Sequence, residues 1–196
     1  YLYFNAKNGI WKSDGTDGGT TLIKDGLTGT GFMKFGDWVY FSATDDNGTE
    51  LWRTNGTENN AQIFKDLFPG SSSYGGQPMI NSSNPSSFFV YKNLLYFSAD
   101  KGSGHELWVT DGTLNGSKML KDIFPRYNYS IWDVANSSSP RNFRIEDGDL
   151  YFLANDENGT SLWTTNGTSE STVKVHAFKS FYSGKAVRLN ESYFYQ

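Results

Sequence analysis

The chain has 196 residues, enough to bury a substantial core, and carries 17 Lys and Arg against 21 Asp and Glu, a formal charge of −4. That balance offers no basic surface to nucleic acid, and apolar runs such as FFVY at 88–91 fall far short of the roughly 20 residues that cross a bilayer. Cysteine is absent, which removes disulfides, thiolate catalysis and thiolate metal sites together.

Strand-like segments begin at once. LYFNA (2–6), GIWKSDGT (9–16) and TLIKD (21–25) are followed by GFMKF (31–35), VYFSA (39–43), ELWRTNGT (50–57) and QIFKD (62–66). After a long link at 67–87 the order recurs as FFVYK (88–92), LYFSA (95–99), ELWVTDGT (106–113) and KMLKD (118–122). A second long link, 123–141, leads to NFRIE (142–146), LYFLA (150–154), SLWTTNGT (161–168) and TVKVH (172–176), then KAVRL (185–189) and SYFYQ (192–196). Trp11, Trp52, Trp108 and Trp163 mark one register, spaced by 41, 56 and 55 residues. Two motifs in one order, four times over, define an internal repeat.

The alternation in LYFSA and the β-branched and aromatic residues of each segment predict strands, and the DNG, ENG, DGT and NGT clusters between them predict hairpin turns. Only a few residues separate the GFMKF-type segment from the LYF-type segment, so these two should be hairpin partners. The fold class expected is all-β, a β-propeller of four-stranded antiparallel blades in about four repeats. Approximate repeats are 1–30, 31–84, 85–140 and 141–183, with 184–196 starting another. Naming the strands a to d in each repeat, the chain opens on a b strand and closes on a second one. That duplication predicts a piece of a longer propeller or tandem array rather than a self-contained four-bladed ring.

ELWRTNGT and ELWVTDGT resemble the ELWxxDGT repeat of large secreted and surface proteins, and the resemblance extends over all four units. It implies propeller blades of the kelch kind and no particular activity. Departures are Gly9-Ile10 in place of Glu-Leu, Ser161 in place of Glu, and Asn55 and Asn166 in place of Asp14 and Asp111. A catalytic or metal role common to all units is therefore not expected of the acidic position.

Individual residues read as follows. A Trp at a fixed place in each unit is a packing residue first; Trp38 and Trp132 lie outside that register, and Trp132, in the link YNYSIWDV, is the candidate ligand-binding aromatic. DDNGTE (45–50) has the oxygen ligands calcium prefers but not the spacing of a calcium loop, and KGSGHE and DENGTS do not keep its ligands, so no metal is expected. His105 and His176 belong to no pattern with a nucleophile, and no catalytic residue and no cofactor is assigned. N-x-S/T occurs nine times, at Asn47, Asn55, Asn81, Asn115, Asn128, Asn136, Asn158, Asn166 and Asn190. Five of these are Asn-Gly-Thr or Asn-Gly-Ser, which are also hairpin turns, so turn and sugar acceptor are compatible roles.

The function expected is that of a non-catalytic, secreted or cell-surface glycoprotein module in structure, adhesion or filament assembly. Its partners would be other copies of itself, other extracellular proteins, or glycans. The alternative is a lectin-like propeller binding glycans around Tyr74, Tyr127, Tyr129 and Trp132. A sialidase-like or glycosidase-like hydrolase is the remaining class, and it lacks a marked pair of carboxylates.

Overall fold

The structure, a computed structural model, describes residues 1–125, 136–178, 186–189 and 192–195. Every regular element among them is a β-strand. The first sheet is β1 (Leu2–Ala6), β2 (Gly9–Ser13) and β3 (Thr21–Asp25); the second is β4 (Gly29–Phe35), β5 (Trp38–Asp45), β6 (Gly48–Thr54) and β7 (Gln62–Lys65). A hairpin, β8 (Ser71–Tyr74) with β9 (Gln77–Ile80), interrupts the long link. The third sheet is β10 (Ser86–Tyr91), β11 (Leu94–Asp100), β12 (His105–Thr110) and β13 (Lys118–Lys121). The fourth is β14 (Arg141–Glu146), β15 (Asp149–Asp156), β16 (Gly159–Thr165) and β17 (Val173–Ala177), and β18 (Ala186–Leu189) pairs with β19 (Ser192–Tyr195).

In each of the four larger sheets the strands lie in chain order, as a run of hairpins requires. Lys7 and Asn8 both take positive φ, 47° and 61°, in the two-residue turn that joins β1 to β2. Such turns match the right-handed twist of the strands they join. The β8–β9 hairpin was not expected from the sequence. Its SSSY and QPMI segments lack an apolar alternation, and the signal that marks it is Gly75-Gly76, both at positive φ.

Strands c and d pair through a bulge at the same place in each of the four larger sheets. The register slips between Ile10 and Trp11, Leu51 and Trp52, Leu107 and Trp108, and Leu162 and Trp163. One extra residue of strand d, Ile23, Phe64, Leu120 or Val175, therefore stands opposite each slip. The first three are buried. Strand a bulges too, and its extra residue takes positive φ at Gly31 (71°) and Asn142 (54°).

The chain divides into two compact units, Tyr1–Val90 with Ala99–Gly102, and Tyr91–Ser98 with Ser103–Gln196. In the first, Ile10 and Ile23 pack with Phe41, Ala43 and Trp52. Burying side chains of this size contributes about 1.5–3 kcal/mol each. In the second, Leu153, Leu162 and Phe178 form a core with Tyr151 against it. Trp52, Trp108 and Trp163 are each under a tenth exposed and Trp11 is half-buried, so the repeated Trp is an interior residue in three of the four repeats.

At Gly48 and Gly104 close approach of the backbone leaves no room for a side chain. Gly48 (φ 92°) and Gly104 (φ 97°) each begin or precede strand c, and a Cβ there would stand 2.1 Å from the Asn81 carbonyl oxygen and 1.7 Å from that of Asn136. Gly15 (φ 94°) shares the backbone conformation but has open space around it. Gly104→Ala is therefore expected to destabilise by more than about 2 kcal/mol, whereas Gly15→Ala incurs only the left-handed strain of about 1–2 kcal/mol. Urea unfolding of the two variants measures the difference.

Candidate functional site

The repeated glutamate of strand c is fully buried at Glu50 and Glu106. An isolated carboxylate could not remain there, because burial disfavours the charged form. Each is instead surrounded by donors. The Leu67 N–H donates to Glu50 Oε2 at 2.7 Å, and the Ser83 N–H donates to Oε1 at 2.8 Å. Ser83 Oγ also donates to Oε2, at 2.5 Å. Glu106 repeats the arrangement, taking the N–H groups of Ile123 (2.7 Å) and Ser138 (3.1 Å) and the Ser138 hydroxyl (2.7 Å). Burial pushes both carboxyls above their ordinary range, against the opposite pull of these hydrogen bonds.

The donors come from the two ends of each long link. One end is the KDLF or KDIF segment that follows strand d, and the other is an NSS tripeptide, Asn81-Ser82-Ser83 or Asn136-Ser137-Ser138. Ser82 Oγ accepts from Thr49 N at 3.0 Å, and Ser137 Oγ accepts from His105 N at 3.0 Å. The asparagine amides close the link on itself. Asn81 Nδ2 donates to the Pro69 carbonyl at 3.1 Å, and Asn136 Nδ2 donates to the Pro125 carbonyl at 2.9 Å. Finally, the Ser83 and Ser138 carbonyls accept from Asp100 N and Asn155 N in the b strands that follow. One serine thus ties the c strand of one repeat to the b strand of the next.

Repeats without the glutamate use other groups. At Gly9 a Cβ would stand 2.8 Å from the Lys24 carbonyl oxygen, so no side chain fits. There the link is short, and Asn5 grips the Gly29 backbone from both sides, donating to its carbonyl at 2.7 Å and accepting from its N–H at 2.9 Å. In the fourth repeat Ser161 is buried, and Lys174 pairs with Asp156 at 3.1 Å. Burial opposes the charge on Asp156, yet the Asn158 N–H and Lys174 hold its carboxyl below the usual range.

The turns between strands c and d are also self-contained. Asp14 Oδ1 accepts from Thr16 N (3.0 Å) and Thr16 Oγ1 (2.7 Å), and Asp111 Oδ1 accepts from Thr113 N (2.8 Å) and Oγ1 (2.7 Å). The threonine bonds hold both carboxyls below the ordinary range. Asn55 Oδ1 makes the same pair of bonds to Thr57, at 3.0 and 2.8 Å. An amide oxygen can replace a carboxylate oxygen here because only an acceptor is needed.

The sugar-acceptor motifs separate into three groups. Asn47, Asn55, Asn115, Asn158 and Asn166 are exposed on hairpin turns. Asn81 is buried and Asn136 half-buried, and both spend the amide nitrogen on a proline carbonyl. Asn128 and Asn190 lie outside the described residues, as do Tyr127, Tyr129 and Trp132 of the lectin-like reading. In DDNGTE, Asp45 caps its own turn, accepting from Asn47 N at 2.8 Å and from Asn47 Nδ2 at 3.1 Å. Among the described residues no group of three or more His, Asp and Glu could hold a metal ion. His105 and His176 sit on different strands of different sheets, β12 and β17. Among the described residues no helix is long and apolar enough to cross a membrane.

The joint around Glu106 was not read from the sequence as a structural site. Its signal was present: the two units with a glutamate before Leu-Trp are also the two whose links end in NSS followed one residue later by Pro. Glu106→Ala leaves the Ile123 and Ser138 N–H groups buried without an acceptor, and is expected to destabilise by about 2–4 kcal/mol. Glu106→Gln, which keeps one acceptor oxygen, should lose less. Urea unfolding midpoints of the two variants check the order. No family model, curated protein or solved structure matches the chain.

Proposed function

We propose that the chain is a non-catalytic propeller module of the ELWxxDGT type, displayed outside the cell and acting in adhesion or assembly with other copies or other extracellular proteins. The observation that carries this reading is the direction in which the repeated polar residues are spent. Glu50, Glu106 and the NSS serines hydrogen-bond inward, to each other and to the backbone between consecutive repeats. The repeated Asp14, Asn55 and Asp111 bond within their own turns. No repeated side chain of this set is left pointing at a substrate, so the repeat builds a scaffold and does not multiply a reaction centre. Four-stranded sheets in chain order, tied one to the next, are what a blade arrangement needs.

Exposed turns then carry the surface chemistry. Asn55 and Asn166 occupy the turn position that Asp14 and Asp111 hold in the other two repeats, and only the asparagines can accept a sugar. Glycopeptide mass spectrometry of material from the natural source is expected to find sugar on exposed turns such as Asn55 and Asn166, and to find Asn81 and Asn136 bare. Sugar confined to Asn81 and Asn136 would contradict the reading.

The reading as a whole is tested by density of that same material. Each sheet should appear as one blade about a common axis, with neighbouring molecules in contact. Sheets not disposed about an axis, or turnover of a glycoside panel by the purified chain, would overturn it.

A further inference from the structure

A cleft of about 500 Å³ opens in the first unit, within the roughly 300–1,000 Å³ that holds small-molecule ligands. The pleat explains its walls. Tyr1 and Tyr3 are two residues apart and share a face, and Lys12 joins them because it pairs with Tyr3 across the β1–β2 register. On the other side Phe32 and Lys34 are likewise two apart on β4, and all five line the cleft.

The walls have two characters. One is aromatic: the Tyr3 and Phe32 rings are stacked with centroids 6.0 Å apart at 28°, and Phe32 is backed by buried Phe41 at 5.1 Å. A ring pair supported in this way cannot swing aside, so its surface is ready-made. The other is cationic: Lys12 and Lys34 both line the cleft, and no carboxylate does, in a chain whose formal charge is −4. Lys12 is held in place, donating from Nζ to the Gly56 carbonyl and lying 4.9 Å from the Tyr1 ring centroid. Gly56, at φ 83°, permits this, since a Cβ there would come within 2.5 Å of the Tyr3 hydroxyl. Asn55, the residue before it, stands at the same cleft.

We propose that this cleft binds a carboxylate-bearing sugar, its flat C–H face against the Tyr3 and Phe32 rings and its carboxylate toward the Lys12 and Lys34 ammonium groups. Stacking selects a ring with an apolar face, and the two ammonium groups select negative charge; a neutral sugar meets only the first requirement. The inference rests on the first unit alone and stands apart from the assembly role proposed above.

The test is calorimetric titration of the full, unglycosylated chain with a glucuronic-acid-containing oligosaccharide and with a neutral glucose oligosaccharide of equal length. The acidic ligand is expected to bind at least tenfold more tightly and to weaken as salt is raised. Lys34→Gln, an exposed change expected to leave the thermal midpoint where it is, should remove that preference without altering the neutral ligand. Tyr3→Ala should weaken both. Equal affinity for the two ligands, no saturable binding of the acidic one, or an undiminished preference in Lys34→Gln would overturn the proposal.

Discussion

Two buried carboxylates hold this chain together at the points where it is most extended. The links after strands β7 and β13 are long, and fixing the ends of so long a loop costs conformational entropy even though Leu67 and Ile123 at their near ends are buried. Glu50 and Glu106 compensate by receiving, on one side chain, the backbone N–H that leaves strand d and the N–H and hydroxyl of the serine that precedes the next sheet. Hydrogen bonds to a charged acceptor are stronger than neutral ones, and removal of an acceptor from buried donors is more costly still. Full burial is tolerated because two backbone N–H groups and one serine hydroxyl face each carboxyl.

The rest of each joint follows from bringing the link so close to strand c. Glycine is needed at 48 and 104 because the link carbonyl lies where a Cβ would be. Thr49 and His105 can differ as side chains because only their backbone groups meet the serine hydroxyl. On the far side of strand c, the bulge beside Leu-Trp turns an additional residue of strand d toward the interior, which accounts for the buried Ile23, Phe64 and Leu120 just before the repeated lysine. In the first repeat, where the glutamate is missing, the link is short and Asn5 grips the next strand directly.

This division of labour places individuality where the repeat ends. The residue after the repeated Trp is Lys12, Arg53, Val109 or Thr164. Lys12 faces a cleft, and Arg53 stacks on Trp38 at 4.0 Å and on Phe64 at 4.6 Å. A scaffold of this kind leaves such positions free to differ, since none takes part in the joints.

Sequence alone determined the repeated strands, their order and the turns between them, though not the β8–β9 hairpin, because alternation, Asn-Gly and Asp-Gly are local signals and SSSY and QPMI carry no such alternation. It also marked the repeated Trp as interior, since a bulky aromatic at one register is most readily a packing residue. Tertiary structure decided the rest. That Asn81 and Asn136 brace a proline carbonyl and are not simply free acceptors depends on a residue 11 or 12 positions away. The carboxylate of Glu50 and the serine at 83 are 33 residues apart, and no periodicity connects them. The cleft likewise exists only because two pleated faces meet, which brings Lys12 and Lys34 together from separate sheets. Such pairings depend on which backbone groups are left unsatisfied once the strands have formed, and that is a property of the folded chain.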